Sequence, residues 1–280
     1  MYIFKTAREL SDFLTRSRNG GQTIGFVPTM GALHPGHLSL IREARAGNAV
    51  TVCSIFVNPT QFNNPEDFTN YPITIDSDVE QLITAGCDVL FLPSVAEVYP
   101  AGHVKQHYAL GPVETVLEGA FRPGHFQGVC EVVDRLLELV DPDRLYLGQK
   151  DFQQCMVIRR LLELTGRQGR TELVIVPTMR ETDGLAMSSR NLRLSAEQRV
   201  LALEISRQLR HVGERFGSAS NDLLESDAKS ALEAKGFQVD YISIAEPATL
   251  LPQPRAQKPA VVLAAATIGP VRLIDNMLIE

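Results

Sequence analysis

The sequence lacks the features that would place it in a membrane or outside the cell. Its longest apolar stretches, AVTVCSIFV at 49–57 and AVVLAAA at 260–266, fall far short of the roughly 20 residues that a membrane-spanning helix needs. The first residues, MYIFKTARELSDF, carry charges and have neither the apolar stretch nor the small-residue cleavage site of a signal peptide. These absences predict a cytoplasmic protein with no membrane partner.

The sequence has few cysteines, and its basic residues do not outnumber its acidic residues. The four cysteines contain no Cys-x-x-Cys pair and stand among apolar residues, so they are predicted to be small buried residues rather than disulfides or zinc ligands. With 27 basic and 33 acidic residues, the net charge of -6 offers no basic surface for nucleic acid. A length of 280 residues with 44% hydrophobic residues fits a globular protein of one large or two smaller domains.

The first part of the chain alternates short apolar runs with segments of helical period. The runs are TIGFV (23–27), AVTVCSIFV (49–57), DVLFLP (88–93), the strand at 144–147 and ELVIV (172–176). Amphipathic helices are predicted between them, near 37–46, 76–85, 126–139 and 152–164. This pattern predicts an α/β domain with a Rossmann-like, doubly wound parallel sheet, whose ligands sit at the carboxyl ends of the strands.

After residue 177 the pattern changes, and the sequence predicts a smaller α+β domain over 178–280. A long helix is predicted to begin at the capping pattern Ser195-x-x-Gln198. A second helix near 223–234 is followed by Gly236, which suits a left-handed C-terminal cap. Three strands, at 239–244, 260–266 and 271–279, are predicted to form a small antiparallel sheet, with the proline-bearing stretch 247–259 connecting two of them.

The stretch GFVPTMGALHPGHL at 25–38 leaves a strand through glycines and enters a helix. A helix N-terminus offers unpaired N–H groups and partial positive charge, and glycines let a phosphate approach the backbone. His34 and His37 can donate hydrogen bonds to phosphate oxygens. The stretch therefore predicts phosphate binding, with polar loop histidines of no special function as the alternative.

Three further loops carry polar groups. FVNPTQFNNPEDFTNYP at 56–72 holds Asn58, Gln61, Asn63 and Asn64, which suit a small polar substrate, or else form a turn-rich surface loop. LYLGQKDFQQ at 145–154 places Lys150 where an ammonium can reach a phosphate, while Asp151 is either catalytic or a helix cap. GLAMSSRN at 184–191 combines two hydroxyls with an arginine that can clamp a polyphosphate, although a functionless mobile loop would look similar.

Taken together and in order, PTMGALHPGH, FVNPTQF, EGAFRPGHFQGV, GQKDFQQ and DGLAMSSRN resemble the pantothenate synthetase family, the pantoate–β-alanine ligases of the nucleotidylyltransferase superfamily. The resemblance covers nearly the whole chain. It implies a homodimeric ligase of pantothenate biosynthesis that uses ATP and Mg²⁺. It also implies two steps, in which pantoate and ATP give a pantoyl adenylate and β-alanine then displaces AMP. The C-terminal domain is expected to close over the active site.

The resemblance also assigns residues. His37, His34, Lys150 and Arg190 are the expected catalytic residues on the ATP phosphates, and Gln61, Gln154 and Asn58 are expected at the substrate. The full set expected at ATP is Met30, Gly31, Ala32, Leu33, His34, Pro35, Gly36, His37, Gly148, Gln149, Lys150, Asp151, Met179, Met187, Ser188, Ser189 and Arg190. The counterparts of the family's magnesium residues are Ser77, Asp78 and Gln81, so one carboxylate is missing and Asp78 and Gln81 are the expected ligands.

Other functions stay open at this stage. A different nucleotidylyltransferase would share the histidine motif without needing the amide-rich loop. An aminoacyl-tRNA synthetase is disfavoured because the chain is short and acidic. A nucleotide-binding module without catalysis is disfavoured by the presence of His34, His37, Lys150 and Arg190.

Overall fold

The computed structural model describes residues 1–61, 69 and 71–280, which divide into two compact units. The first unit comprises Met1–Leu110, Arg122–Gly148 and Val157–Pro177, and the second comprises Gly111–Phe121, Gln149–Met156 and Thr178–Glu280. The second unit thus takes in two short stretches that precede residue 177. The functional division of the chain at residue 177 stays a prediction.

Strands and helices alternate through the first part of the chain. The strands are β1, Tyr2–Phe4; β2, Ile24–Thr29; β3, Val50–Ile55; β4, Val89–Phe91; β5, Arg144–Gly148; β6, Glu172–Val176; β7, Gln238–Ala245; β8, Ala260–Ile268; and β9, Val271–Ile279. The described α-helices are α1, Ala7–Asn19; α2, Pro35–Gly47; α3, Ile75–Ala85; α4, Val95–Val98; α5, Glu118–Phe121; α6, His125–Val140; α7, Phe152–Leu164; α8, Ala196–Arg215; and α9, Asn221–Glu233.

The first unit contains a six-stranded sheet in the order β1-β4-β3-β2-β5-β6, with every pair of neighbours parallel. The predicted Rossmann-like sheet is therefore confirmed. From β2 the chain builds outwards through β3 on one side, and it later adds β5 on the other. The three strands β3, β2 and β5 are thus neighbours at the point where the strand order reverses, which is where such sheets bind ligands.

Burial on both faces explains the apolar strand runs. Every residue of β3 is buried, and so is every residue of β2 except Pro28. Helix α2 packs on one face through Leu40, Ile41 and Ala44, which join the same apolar cluster as Val27 and Cys53. The prediction that the cysteines are buried and not in disulfides is confirmed, because all four are buried thiols.

The second unit contains the predicted antiparallel sheet, in the order β7-β8-β9. Helices α8 and α9 cover it, and Ile205, Leu209 and Val212 repeat along the buried face of α8. The predicted capping box at Ser195 is present, since Gln198 N donates to Ser195 Oγ at 3.2 Å and Ser195 N donates to Gln198 Oε1 at 3.0 Å. Gly236 follows α9 with a φ of +85°, as expected for a left-handed residue.

Candidate active site

Residues 30–37, called here the histidine turn, comprise the tight turn after β2 and the first residues of α2. Gly31 has a φ of +83° and Ala32 a φ of +50°, both in the left-handed region. The side chain of Thr29 fastens the turn, because its Oγ1 accepts from Gly31 N at 3.2 Å and donates to Ser54 O at 2.8 Å. The backbone therefore reverses within a few residues and leads straight into α2.

A buried carboxylate holds the middle of the histidine turn. Asp78 on α3 has no exposed surface. Its Oδ2 accepts from Ala32 N at 3.0 Å, and its Oδ1 accepts from Leu33 N at 2.8 Å. Both oxygens of one carboxylate thus fix two consecutive amides, which stabilises the left-handed conformation of Ala32.

The two histidines cap α2. The helix begins at Pro35, two residues earlier than predicted, because His34 is its N-cap and proline suits the first helical position. His34 Nδ1 accepts from Gly36 N at 3.1 Å, and His37 Nδ1 accepts from His34 N at 3.4 Å. A neutral imidazole that accepts through Nδ1 carries its proton on Nε2, so each ring has a donor suited to an anion. The ring centroids are 4.0 Å apart.

The loop after β3 places Asn58 inside the protein. Asn58 is 1% exposed, and its Nδ2 donates to Gly128 O at 3.1 Å and to Thr60 Oγ1 at 3.0 Å. Its Oδ1 accepts from the hydroxyl of Tyr99 at 3.0 Å. Burial raises the pKa of Tyr99 to about 12, so this hydroxyl is protonated and donates at neutral pH. The amide of Asn58 is therefore occupied by protein groups.

Gln61 lies at the end of the 3₁₀ turn Pro59–Gln61. Its Nε2 contacts Met30 Sδ at 2.7 Å, which joins this loop to the histidine turn. Its backbone oxygen lies 2.9 Å from His125 Nδ1. Gly128 on α6 lies against the same backbone, and a Cβ there would be 2.9 Å from the Cα of Gln61. Asn63 and Asn64 lie outside the described residues.

The residues expected to bind magnesium are used otherwise on α3. Both Asp78 oxygens accept backbone N–H groups, and Gln81 Nε2 donates to Ser77 Oγ at 3.3 Å. Mg²⁺ requires near-octahedral oxygen ligation, usually with one or two accessible carboxylates and several waters. Within the described residues, no group of three or more His, Cys, Asp or Glu side chains fits a metal ion. As arranged here, Asp78 and Gln81 do not fit a magnesium site.

In the second unit, Gln149–Asp151 forms a 3₁₀ turn, called here the lysine turn. It follows Gly148, the last residue of β5, and leads into α7, whose first turn contains the half-buried Gln154. The Lys150 side chain is 17% exposed, and its Nζ lies 3.7 Å from a carboxylate oxygen of the half-exposed Asp151. Whether Asp151 caps α7 or takes part in catalysis stays a prediction.

The segment 178–191 forms a hairpin-like loop. Met187 N donates to Met179 O at 3.0 Å, and Arg180 pairs with Ala186 across an isolated bridge, so the two expected methionines are brought together. Ser188 caps the 3₁₀ helix Ser189–Arg193, because its Oγ accepts from Arg190 N at 3.3 Å. The segment 184–191, which is predicted to bind a polyphosphate, is thus held in one conformation by hydrogen bonds within the segment 178–191.

A cavity in the second unit brings together two segments that are far apart in sequence. Lys150, Ser188 and Arg190 all line it. Its lining also includes Arg272 and Asp275 of β9. Three of the predicted phosphate-binding residues of the second unit therefore line one cavity, whereas Ser189 is not part of its lining.

Two neighbouring residues of β9, which the sequence analysis did not single out, hold the segments around this cavity. Asn276 Nδ2 donates to the backbone oxygens of Gln149 and Lys150, at 2.9 Å each. Asp275 accepts from both terminal nitrogens of Arg180, at 2.7 and 3.0 Å. The available signal was a polar Asp-Asn pair inside the apolar strand VRLIDNMLI.

Comparison with known proteins places the chain in a family. The sequence model of the family described as Pantoate-beta-alanine ligase matches residues 2–278. The chain belongs to this family. A protein named pantothenate synthetase from Pseudomonas aeruginosa is 46% identical over 280 residues, covering 99% of this chain and 98% of the relative. A relative of the same name from Bacteroides thetaiotaomicron is 43% identical over 282 residues, with 99% and 98% covered.

Solved structures of pantoate–β-alanine ligases have the same fold. The pantothenate synthetase of Thermus thermophilus is 43% identical, covers 100% of both chains and superposes with a TM-score of 0.93. The pantoate-beta-alanine ligase of Francisella tularensis, complexed with beta-gamma ATP and beta-alanine, is 37% identical with a TM-score of 0.82. That match covers 99% of this chain and 97% of the other.

Among the helices that the structure describes, none has both the length and the apolar character of a membrane span.

Proposed function

We propose that this ligase condenses (R)-pantoate with β-alanine to pantothenate through a pantoyl adenylate, and that ATP is cleaved to AMP and pyrophosphate in the process. The observation that carries the proposal is the cavity in which Lys150, Ser188 and Arg190 stand together. The cavity itself, about 20 Å³, has room for about one water molecule, but an ammonium, a hydroxyl and a guanidinium gathered at one place supply the positive charge and directed donors that bind a polyphosphate. The Francisella relative, crystallised with beta-gamma ATP and beta-alanine, supports the choice of substrates.

In the first step, a carboxylate oxygen of pantoate attacks the α-phosphorus of ATP. The bond from that phosphorus to the bridging oxygen breaks, and its electron pair leaves with pyrophosphate. Negative charge grows on the phosphate oxygens, so fixed donors lower the barrier without a covalent role for the protein. His34 and His37 donate through Nε2, and Lys150 and Arg190 supply charge.

The remaining residues of the proposed ATP site act mainly through position. We assign Gly36 to leaving room for the nucleotide. Gly31 is required by the turn itself, because an added Cβ would lie 3.0 Å from Asp78 Oδ2 and 3.1 Å from Ile55 Cγ2. Met30 supports Gln61. Further contacts to ATP are assigned to Ala32, Leu33, Pro35, Gly148, Gln149, Asp151, Met179, Met187, Ser188 and Ser189.

In the second step, the amine of β-alanine attacks the acyl carbon of the adenylate. AMP leaves with the electron pair of the broken C–O bond, and the new amide loses a proton. We assign Gln61 and Gln154 to holding pantoate, since amides bind hydroxyls and carboxylates without adding charge. Because Asn58 is saturated by protein contacts, we assign it the role of fixing the loop that presents Gln61.

Mg²⁺ enters the proposal only as the counter-ion of ATP in solution. The α3 residues do not fit a magnesium site as they are arranged, so no step of the mechanism is assigned to the metal. A homodimer also belongs to the proposal, because family resemblance favours it, and so does the cytoplasmic location that the sequence predicts.

A half-reaction tests the adenylate mechanism. Wild-type protein is mixed with radiolabelled ATP, and pyrophosphate is measured in a single turnover with pantoate present and β-alanine absent. We expect one pyrophosphate per active site, and AMP only after β-alanine is added. Folded protein that releases no pyrophosphate overturns the mechanism. A product that still contains both AMP and the acid after β-alanine is added identifies a different nucleotidylyltransferase.

A further inference from the structure

Asn276 lies in the interior of the second unit, far in sequence from every residue of the expected site. It is 2% exposed on β9 and 126 residues from Lys150. Its Nδ2 donates to Gln149 O and Lys150 O, and its Oδ1 accepts from Gln149 Nε2 at 3.2 Å. One side-chain amide thus makes three hydrogen bonds to two consecutive residues of the lysine turn.

These contacts bear directly on the backbone of Lys150. A 3₁₀ turn of three residues has few internal hydrogen bonds, so its carbonyl groups need partners from elsewhere. Asn276 supplies both protons of one amide to adjacent carbonyls, which fixes the plane of the peptide that carries Lys150. Leu and Ile side chains could fill the same volume but could not orient this peptide.

The next residue of β9 strengthens the arrangement. Asn276 N donates to Asp275 Oδ1 at 2.8 Å, and Asp275 in turn binds Arg180. Arg180 pairs with Ala186, two residues before Ser188. Two adjacent positions of one strand therefore contact the lysine turn and the segment that leads to Ser188 and Arg190.

We propose that Asn276 is a positioning residue of the ligase reaction, which holds the peptide of Lys150 so that the ammonium meets the ATP phosphates. The inference rests on the function proposed above and on the role of Lys150 in it. Its side-chain amide binds Gln149 and Lys150, so its action in the proposal runs through another residue. A displacement of about 1 Å in a positioned group costs on the order of 100-fold in rate.

The first arm of the test compares two buried asparagines of the second unit. Asn276→Ala removes the bonds to the lysine turn, whereas Asn221→Ala removes a bond from Nδ2 to Gln253 O at 2.7 Å, remote from Lys150 in sequence. Asn221 is equally buried, at 2% exposed. We expect Asn276→Ala to slow single-turnover pyrophosphate release by about 10- to 100-fold, and Asn221→Ala to leave it unchanged at a similar melting temperature.

The second arm distinguishes positioning from general support of the fold. In a Lys150→Ala background, Asn276→Ala should add less than about a twofold loss, because residues that act through one another are not additive. An equal loss in both backgrounds overturns the inference, as does full activity of the single variant.

The third arm does not depend on activity. Hydrogen exchange without substrates should be faster in peptides covering 149–156 for Asn276→Ala and unchanged there for Asn221→Ala. If exchange at 149–156 is unchanged in Asn276→Ala, the proposed role of Asn276 in holding the lysine turn is wrong, whether or not the wild-type protein releases pyrophosphate. Wild-type protein without pyrophosphate release instead overturns the proposed function, so the two failures are told apart.

Discussion

The histidine turn and the lysine turn are held by buried side chains of opposite hydrogen-bonding type, an acceptor in the first and a donor in the second. Behind the histidine turn, the buried carboxylate of Asp78 accepts two backbone N–H groups. Behind the lysine turn, the buried amide of Asn276 donates to two backbone carbonyls. A tight turn leaves either amides or carbonyls without partners, and the chemical type of the buried clamp matches what is left. A remote, uncharged side chain can therefore be as important to a site as its motif.

Removing the donor from each turn should give the largest effects. His37→Ala and Lys150→Ala are each expected to lower kcat by on the order of 10²- to 10³-fold, because each removes one donor from the charge that grows on phosphate. Steady-state AMP formation measures the loss, and circular dichroism checks that each variant is folded. A near wild-type rate for either variant would remove that residue from the proposed phosphate clamp.

Breaking the clamp of the histidine turn should mainly affect stability. Asp78→Ala leaves the amides of Ala32 and Leu33 without acceptors, and each such group costs about 1–3 kcal/mol. We expect the free energy of unfolding in urea to fall by about 3 kcal/mol in EDTA-containing buffer, where no magnesium is bound.

The exposed Asp76 on the same helix provides the control, because Asp76→Ala removes a carboxylate at the helix start and should cost less than about 1 kcal/mol. A loss of stability for Asp78→Ala that appears only when Mg²⁺ is present would contradict the structural role and restore the predicted metal ligand.

The contact between Gly128 and the backbone of Thr60 and Gln61 is also long-range, and it extends the comparison to the loop after β3 that presents Gln61. In Gly128→Ala the new Cβ would lie 2.7 Å from the carbonyl carbon of Thr60 and 2.9 Å from the Cα of Gln61. Backbone must move, at a cost of about 1–3 kcal/mol. Because Gln61 is displaced, we expect KM for pantoate to rise about tenfold with little change in KM for ATP.

The nearby Gly124 makes a poor control because its φ is +79°, whereas Gly148 and Gly169 have open space around an added Cβ. Gly169→Ala, outside the proposed site, therefore serves as the control. Equal rises in both KM values for Gly128→Ala would show a general disturbance instead of a specific shift of Gln61.

The smallest effect is expected at the end of the lysine turn. Asp151→Ala removes a side chain at the start of α7, and the loss of a helix cap costs about 1 kcal/mol. If Asp151 is a cap, the melting temperature falls while kcat is retained. A large loss of kcat with unchanged melting temperature would assign Asp151 to catalysis.

These contrasts also explain what could be read from the sequence. Strands buried on both faces have apolar runs, and α8 carries a local capping box, so the fold followed from short-range patterns. The start of α2 was misplaced by two residues because His34 is an uncommon N-cap. Family resemblance predicts Asp78 as a magnesium ligand, and no local pattern in the sequence indicates its hydrogen bonds to Ala32 and Leu33, which lie 46 and 45 residues away. The polar Asp-Asn pair in β9 is a local signal of a special position, but it does not indicate a partner that lies 126 residues away, so the role of Asn276 could not be predicted.

The separation between Lys150 and its anchor has a consequence during protein synthesis. A ribosome translates Asn276 126 residues after Lys150, so the growing chain contains the lysine long before the amide that fixes it. Until β9 has emerged and paired with β8, the carbonyls of the lysine turn have to rely on water. In the nascent chain, the histidine turn is therefore expected to become ordered before β9 has been synthesised. The reaction with ATP is expected to begin only after β9 has paired with β8.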